Sequence, residues 1–361
     1  MSLNNNREYN FSAGPGTLPE DILLELKNEL PAYEDIGASV IEISHRSATY
    51  TNIAESARSR LRKLLGLGRE WHILFLQGGA SMQFYQVPLN FLAPEDHADY
   101  LVTGTWSVKA VKEAKQVVQI NEAASSKDKN FSYIPAPSSW ELNPDAKYLH
   151  YTSNNTISGT QFHDEPAVNV PLVCDASSDF LSRPMELDRY GLIYAGAQKN
   201  IGPAGVTVVL VKDSFLEQRR DNLPTMLDYG THTAKLFNTP PVFAVYMVEK
   251  VLRWLEGKGG ISGIEKINEE KSNRLYGKID GSDFYHGTAA EDSRSQMNVC
   301  FRLPSEELEA QFVSEAAAAG LQALKGHRSV GGIRASIYNA CPLVAVDALV
   351  SFMGDFERKN G

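Results

Sequence analysis

Seven short apolar stretches alternate with helical patterns between residues 71 and 211, and this alternation limits the folds that the chain can adopt. Each stretch has the length of a buried strand and is bounded by turn residues or by the start of a helix. The predicted strands are 71–77, 100–103, 116–120, 148–152, 171–175, 192–195 and 206–211. This order predicts an α/β fold with a mostly parallel, doubly wound sheet flanked by helices. Because ligands of such sheets lie at the carboxyl ends of the strands, we look for a site in the residues that follow each strand.

A smaller second domain is predicted after the glycine-rich segment 256–260. Helix and strand patterns alternate again beyond it, with a closing helix from 342 to 356. We expect a large domain over 16–260 and a smaller α/β domain made of 1–15 and 261–361. A chain of 361 residues is long enough for two such cores.

The charge of the chain argues against two classes of partner. It has 35 Lys and Arg against 44 Asp and Glu, a formal net charge of -9, which disfavours nucleic acid and anionic membranes. No run approaches the roughly 18 apolar residues of a membrane span, and the first residues have no apolar signal core, so we expect a cytoplasmic protein. Three cysteines without metal-ligand spacing predict reduced thiols and no metal site.

Two charged residues stand where predicted buried strands end. Lys199 follows the strand 192–195 and precedes a turn rich in glycine and proline. Partial desolvation there would lower the pKa of its ammonium group towards the nucleophilic amine that Schiff-base chemistry requires. Asp175 ends the strand 171–175, where a carboxylate can pair with the protonated ring nitrogen of pyridoxal phosphate. Taken alone, the lysine could simply reach solvent, and the aspartate could be a cap or turn residue.

Other strand ends carry weaker signals for a ligand. Gly78-Gly-Ala-Ser81 precedes an apolar-faced helix, and free N–H groups at a helix start can cradle a phosphate. Trp106 lies just beyond the strand 100–103, where an indole can lie flat on an aromatic ring or can belong to the core. The loop 326–334 holds His327, Arg328 and Arg334, which could bind an anion or form surface salt bridges.

The segment 195–207 resembles the lysine segment of the phosphoserine aminotransferase family, a group of class-V, fold-type-I pyridoxal-phosphate enzymes. The resemblance extends in the family's order over 10–15, 44–47, 238–241 and 326–339. It implies a large domain with a seven-stranded sheet, pyridoxal 5'-phosphate bound covalently to Lys199, and Lys199 and Asp175 as the catalytic residues. The residues that the resemblance assigns to the cofactor are Ala80, Ser81, Trp106, Thr156, Asp175, Gln198, Lys199, Asn238 and Thr239. Those that it assigns to the substrate are His45, Arg46, His327, Arg328 and Arg334.

Within that set, the resemblance implies finer roles and one departure. Arg334 would bind the substrate α-carboxylate, and the other four would bind the distal phosphate or γ-carboxylate, some of them across a dimer interface. Asn238 and Thr239 would contact the cofactor phosphate of the neighbouring subunit, which makes the expected assembly a homodimer with shared sites. Many relatives have glutamate before the threonine that corresponds to Thr156, whereas this chain has Asn155.

The implied reaction transfers an amino group from L-glutamate to 3-phosphohydroxypyruvate and forms O-phospho-L-serine in serine biosynthesis. A phosphorylated 4-hydroxythreonine of pyridoxine biosynthesis is a further substrate candidate. Related folds serve as small-amino-acid transaminases or cysteine desulfurases, but these do not require the basic groups of 44–47 and 326–334. A non-catalytic protein that binds pyridoxal phosphate is the alternative from another class, and the presence of both Lys199 and Asp175 argues against it.

Overall fold

The computed structural model describes residues 7–361. Ten α-helices in these residues are α1 (Glu20–Glu29), α2 (Ala48–Leu65), α3 (Gly79–Phe91), α4 (Thr105–Ala114), α5 (Asp213–Leu216), α6 (Tyr229–Ala234), α7 (Val242–Gly257), α8 (Gly260–Asp280), α9 (Glu306–Ala318) and α10 (Leu343–Asn360). The strands are β1 (Tyr9–Asn10), β2 (Trp71–Leu76), β3 (His97–Val102), β4 (Asn121–Ser125), β5 (Ala146–Thr152), β6 (Asn154–Asn155), β7 (Thr160–Gln161), β8 (Leu172–Asp175), β9 (Tyr190–Gly196), β10 (Thr207–Lys212), β11 (His286–Gly287), β12 (Asn298–Arg302), β13 (Leu321–Gln322) and β14 (Ile333–Ser336).

A seven-stranded sheet forms the centre of the larger part of the molecule. Its strand order is β2-β10-β9-β8-β5-β3-β4. The neighbours from β9 to β4 pair in parallel, whereas β10 is antiparallel to both β9 and β2. Six strands therefore end at one edge of the sheet, and the predicted mostly parallel α/β fold is confirmed.

Helices cover both faces of this sheet because the strands are apolar on both sides. Along β10, Val208 and Leu210 pack into a core with α2, α7 and the start of α8. Val209 and Val211, which alternate with them, pack into a second core with α3 and α4. Strands buried on both faces read as continuous apolar runs, which is why the sequence identifies most of them.

One strand was predicted in the wrong place. The segment 116–120 was expected to be a strand and 121–130 a polar surface loop, but residues 116–120 contain no strand and β4 (Asn121–Ser125) follows them. β4 is an edge strand that buries only the small side chains of Ala123 and Ala124, so its polar composition resembles that of a loop.

Helix α2 illustrates how local sequence sets element boundaries. Ser47 caps its start by accepting a hydrogen bond at Oγ from the Tyr50 N–H (3.2 Å). Gly66 ends the helix in the left-handed region, with φ of 69°. The buried face of the helix packs on α7.

A third core lies in the C-terminal part of the chain. The sheet β11-β12-β14 packs there with α9, α10 and the second half of α8. The N-terminal strand β1 pairs in parallel with β13 and brings Phe11 into this core. The division into 16–260 and 1–15 with 261–361 stays a prediction, and α8 contributes side chains to the first and the third core. None of the described helices is both long and apolar enough to cross a membrane.

Candidate active site

A cavity of about 470 Å³ opens at the edge of the main sheet where the parallel strands end. Lys199 lies in the turn that follows β9, three residues after the strand ends at Gly196, and its half-buried side chain lines this cavity. Gly14 faces the lysine from the N-terminal segment, and a Cβ at Gly14 would lie 3.7 Å from the Lys199 side chain. Lys199 is therefore held against the wall of a pocket rather than extended into solvent.

The surroundings of Lys199 favour its neutral amine. Burial lowers the pKa of its ammonium group to about 8, although the carboxylates of Asp175 and Asp179 act in the opposite direction. Arg334, a cation on the far side of the cavity, adds to the lowering. An amine of this kind is available as a nucleophile or a base closer to neutral pH than an ordinary lysine.

Asp175 lines the same cavity from the end of β8, the strand next to β9. Its Oδ1 accepts a hydrogen bond from the Ser177 N–H (3.0 Å), and the Ser177 hydroxyl in turn accepts one from the Gly196 N–H (3.1 Å). Burial raises the pKa of the Asp175 carboxyl, whereas Ser177 and Lys199 lower it. The carboxylate is thus fixed in position with one side turned to the cavity.

An indole forms a flat wall of the cavity. Trp106 lies in the first turn of α4, and its ring centroid is 5.7 Å from Lys199 Nζ. Its Nε1–H donates a hydrogen bond to Thr156 Oγ1 (3.0 Å), which fixes the plane of the ring. Thr156 stands in the turn between β6 and β7, where the neighbouring Asn155 donates from Nδ2 to the hydroxyl oxygens of Thr103 and Thr160, both at 3.2 Å.

The start of helix α3 supplies backbone donors. Ala80 and Ser81 line the cavity in the first turn of α3, before the first helical hydrogen bond, which Met82 N–H donates to Gly78 O (3.3 Å). A Cβ at Gly79 would meet no atom within 4 Å, so the backbone there opens on free space. Gln198 lines the cavity beside Lys199. The site therefore has the N–H groups and the positive helix end that favour an anion.

The predicted basic loop reaches the cavity with two of its three charged or chargeable groups. His327 and Arg334 line the cavity, and Arg334 Nη1 donates to the Thr156 carbonyl oxygen (3.0 Å). Burial, Arg334, Arg328 and Lys109 together lower the pKa of His327. Arg328 is exposed at the rim and does not line the cavity. Arrival of an anion among these cations would favour protonation of His327.

Besides Arg328, four predicted residues lie outside this cavity. Asn238 donates from Nδ2 to Gln77 Oε1 (2.7 Å), and Gln77 Nε2 donates to the carbonyl oxygen of the exposed Thr239 (3.0 Å). His45 and Asn238 line a separate hollow of about 390 Å³ beside α2 and β2. The alternating residues 40–45 suggest a short strand that leads into His45 and Arg46, but the structure has turns there, and Arg46 is exposed.

Several residues that line the cavity carry no clear signal in the sequence. Ser177 and Ser178 lie two and three residues after Asp175, so the end of β8 is the signal that could reveal them. The N-terminal turn also contributes, because Gly16 N–H donates to the Gln198 carbonyl oxygen (2.7 Å) and the Tyr338 hydroxyl donates to the Ala13 carbonyl oxygen (2.6 Å). These contacts depend on segments that are distant in the chain.

The residues present fit pyridoxal phosphate. The cavity has room for one aromatic ring, the Trp106 indole offers a flat face, and the start of α3 offers backbone donors to a phosphate. The Lys199 amine and the Asp175 carboxylate come from neighbouring strands and can meet two different positions of such a ring.

The lowered pKa of Lys199 gives a testable pH dependence in cofactor-free protein. With a pKa of about 8, roughly a quarter of the amine is neutral at about pH 7.5, compared with about one in a thousand for an ordinary lysine. Competitive labelling with limiting acetic anhydride, read by peptide mass spectrometry, should therefore show reactivity of Lys199 that rises with pH to a midpoint near 8. N-acetyl-lysine amide in the same tube is the standard. A midpoint for Lys199 that coincides with that of the standard would contradict the assignment.

Comparisons with known proteins agree with the fold and the cavity. The family model described as aminotransferase class-V matches residues 8–349. A phosphoserine aminotransferase of Desulfosudis oleivorans is 52% identical over 360 residues, which cover 98% of this chain and 99% of that protein. The solved structure of phosphoserine aminotransferase from Bacillus circulans subsp. alkalophilus is 48% identical, with a TM-score of 0.96 over 99% of this chain and 100% of that one. The structure of a phosphoserine aminotransferase with bound pyridoxal phosphate from Trichomonas vaginalis is 40% identical, with a TM-score of 0.93 over 96% of this chain and 100% of that one.

Proposed function

Because this chain belongs to the class-V aminotransferases, in their phosphoserine aminotransferase group, we propose a role in that reaction for each residue of the cavity. The activity is the pyridoxal-phosphate-dependent transfer of an amino group from L-glutamate to 3-phosphohydroxypyruvate, which yields O-phospho-L-serine and 2-oxoglutarate. The observation that carries the assignment of roles is that Lys199, Asp175 and Arg334 line one cavity from three different segments.

The cofactor would be held by groups on all sides of the cavity. Lys199 binds it covalently, Trp106 lies against its ring, and Thr156 and Gln198 offer polar groups beside it. Ala80 and Ser81 direct the N–H groups of the first turn of α3 towards its phosphate. When bound, pyridoxal phosphate supplies an electron sink for the charge that develops at the substrate α-carbon.

Lys199 and Asp175 would carry the proton chemistry. When it is not bound to the cofactor, the Lys199 amine, with its pKa lowered by burial, would accept the proton from the substrate α-carbon. The same amine would then deliver that proton to the cofactor carbon that carried the aldehyde, so one mobile side chain would serve as both base and acid. Asp175, held by the Ser177 N–H, keeps a proton on the ring nitrogen through an anionic carboxylate.

The basic groups would bind the two ends of the substrate. Arg334 forms a fork for the α-carboxylate, since its guanidinium already lies in the cavity and has one bond to the Thr156 carbonyl oxygen. His327 and Arg328 bind the distal group. His45 and Arg46 lie outside the cavity of their own chain and would reach the distal group across a dimer interface. Several adaptable donors suit a pocket that must accept the phosphate of phosphoserine and the γ-carboxylate of glutamate in turn.

An assay of the purified holoenzyme with O-phospho-L-serine and 2-oxoglutarate tests this function. We expect glutamate to form. We also expect the visible absorption band of the cofactor to shift when O-phospho-L-serine or L-glutamate is added alone. A protein that binds the cofactor without any such shift would be a carrier rather than a transaminase. Turnover of small uncharged amino acids without turnover of phosphoserine would favour a small-amino-acid transaminase.

The desulfurase alternative conflicts with the cysteines. All three are buried, and burial raises the pKa of the Cys300 thiol to about 12 and that of Cys341 to about 11. Burial also raises the pKa of Cys174. A desulfurase needs a cysteine thiolate that can reach the substrate, and these thiols lack that character.

Replacing Arg328 by alanine should affect phosphorylated substrates most. We expect kcat/KM for O-phospho-L-serine to fall by about 10- to 100-fold, because a guanidinium-phosphate contact is lost, and kcat/KM for L-alanine to change less than about threefold. Steady-state kinetics with both amino donors measures the ratio. Equal losses for the two donors would place the distal anion site elsewhere.

The active enzyme would be a homodimer with shared sites. Asn238 lies against Gln77, outside the cavity that holds Lys199, and is available to a second chain. Leu236 and Phe237, which line the same hollow as His45 and Asn238, are 50% and 41% exposed. Apolar side chains beside candidate anion ligands are suited to a protein interface, and residues 232–240 would then complete the partner's site.

Mixed dimers can test this shared site. Co-expression of the Lys199→Ala chain with an Asn238→Ala, Thr239→Ala chain should restore about a quarter of wild-type activity, because half of the dimers are mixed and each mixed dimer has one intact site. Each variant alone serves as the control. Recovery no greater than the sum of the two controls would mean that each chain supplies its own site.

Two further proposals concern the cellular role. Three unpaired thiols suit a reducing compartment, which supports a cytoplasmic location; fractionation of cells that express the tagged chain tests it. A distal pocket with several flexible cations could also accept 4-phosphohydroxy-L-threonine of pyridoxine biosynthesis. Its kcat/KM, measured beside that of phosphoserine, tests this second substrate.

A further inference from the structure

Lys109 lies against Trp106, a residue of the cavity wall, and neither the sequence pattern nor the family assignment gives it a role. It lies three residues after Trp106 on α4, so the two side chains share one face of the helix. Its Nζ lies 4.3 Å from the centroid of the Trp106 ring. The same ring forms the flat wall beside Lys199. Lys109 is thus a cation held over the indole that forms one wall of the cavity.

The charge of Lys109 is not neutralised by a nearby carboxylate. Within residues 7–361, no Asp or Glu oxygen lies within 4.0 Å of its Nζ, although acidic residues outnumber basic ones in the chain by 44 to 35. Lys109 also lies close enough to the loop of His327 to lower, together with Arg328 and Arg334, the pKa of that histidine. Such a cluster of like charges is unfavourable by itself and is relieved when an anion binds.

We propose that Lys109 is a further substrate-binding residue, which attracts the distal dianionic group and favours phosphate over carboxylate. This inference rests on the proposed function and refines the distal part of that site. A lysine carries a compact charge on a flexible stem, so it can leave the indole and approach an anion between α4 and the loop of His327. Because a phosphate dianion has about twice the charge of a carboxylate, the gain should be larger for phosphoserine than for glutamate.

The test compares Lys109→Ala with Lys112→Ala in the holoenzyme. Lys112 is an exposed lysine on the same helix that has neither the indole contact nor an effect on His327. For Lys109→Ala we expect kcat/KM to fall about tenfold for O-phospho-L-serine, about threefold for L-glutamate and less than about twofold for L-alanine. Lys112→Ala should match the wild type for all three, and Lys109→Arg should retain most of the preference.

Inorganic phosphate gives a second readout that needs no turnover of a phosphorylated substrate. As a competitive inhibitor of L-alanine transamination, it should bind about five- to tenfold more weakly to Lys109→Ala than to Lys112→Ala, with a weaker dependence on ionic strength. Equal losses for phosphoserine and L-alanine would show that Lys109 only supports the indole and would overturn the proposal. The proposal would also be overturned if Lys109→Ala had the same kinetic constants and the same inhibition by phosphate as Lys112→Ala. By contrast, a wild-type enzyme that does not turn over phosphoserine would overturn the proposed function instead.

Discussion

Replacing Lys199 by alanine should lower the rate of amino-group transfer by at least about 1,000-fold while the protein still folds and binds pyridoxal phosphate. The side chain would supply both the covalent attachment and the base that moves the α-proton. No other lysine lines the cavity within residues 7–361, so no nearby amine can take over. Pre-steady-state absorption after mixing with glutamate measures the loss directly.

Reduction with borohydride provides the control for this variant. In the wild type, the reduced cofactor should be found on the peptide that contains Lys199, and in Lys199→Ala it should be absent from all peptides. Lys271 serves as an internal comparison, because burial also lowers the pKa of this lysine to about 8. It lies outside the cavity, where it donates hydrogen bonds to the carbonyl oxygens of Ile337 (2.8 Å) and Tyr338 (2.7 Å). Label on Lys271, or transamination by Lys199→Ala at a rate near that of the wild type, would refute the assignment.

The Asp175→Asn variant should lose about 100- to 10,000-fold in turnover with little change in shape, because an amide cannot hold a proton on the ring nitrogen as an anionic carboxylate does. The hydrogen bond from the Ser177 N–H can persist with the amide oxygen, so the loop after β8 should keep its position. Single-turnover kinetics with glutamate measures the loss of the proton-transfer step, and circular dichroism checks the fold.

Asp179 is a matched control because it is a second buried carboxylate four residues away. It accepts hydrogen bonds from the Ser153 hydroxyl and from Gln161 Nε2, and it does not line the cavity. Asp179→Asn should therefore reduce stability more than it reduces turnover, with a kinetic loss below about tenfold. If the two variants lose equal activity, the specific role of Asp175 is wrong.

The parts of the site that the sequence predicts are those at the ends of apolar runs. Asp175 ends β8 and Lys199 follows β9, and both strands are buried on both faces. Because parallel strands end at the same edge of a sheet, these two residues come together regardless of the conformation of the loops. The strand β4 was misplaced because an edge strand with small buried side chains lacks this apolar signal.

The position of loop residues could not be predicted in the same way. Asn238 and His45 lie in a hollow apart from Lys199, and their location depends on packing between α2, β2 and a loop more than 150 residues away. Lys109 was overlooked although its spacing from Trp106 is visible in the sequence, because a lone exposed lysine on a helix is usually only solvated. Its significance depends on the loop of His327, which only the tertiary structure brings near.

Helix α8 joins the cores of the two parts of the chain. Ile261 and Ile264 at its start pack with the large sheet, whereas Leu275 and Ile279 near its end pack with α9 and α10. Because a single rigid helix of 21 residues contributes to both cores, unfolding of either core should also disrupt the other. Melting should consequently occur as one cooperative event, and the C-terminal part should not persist as an independently folded fragment after proteolysis within 256–260.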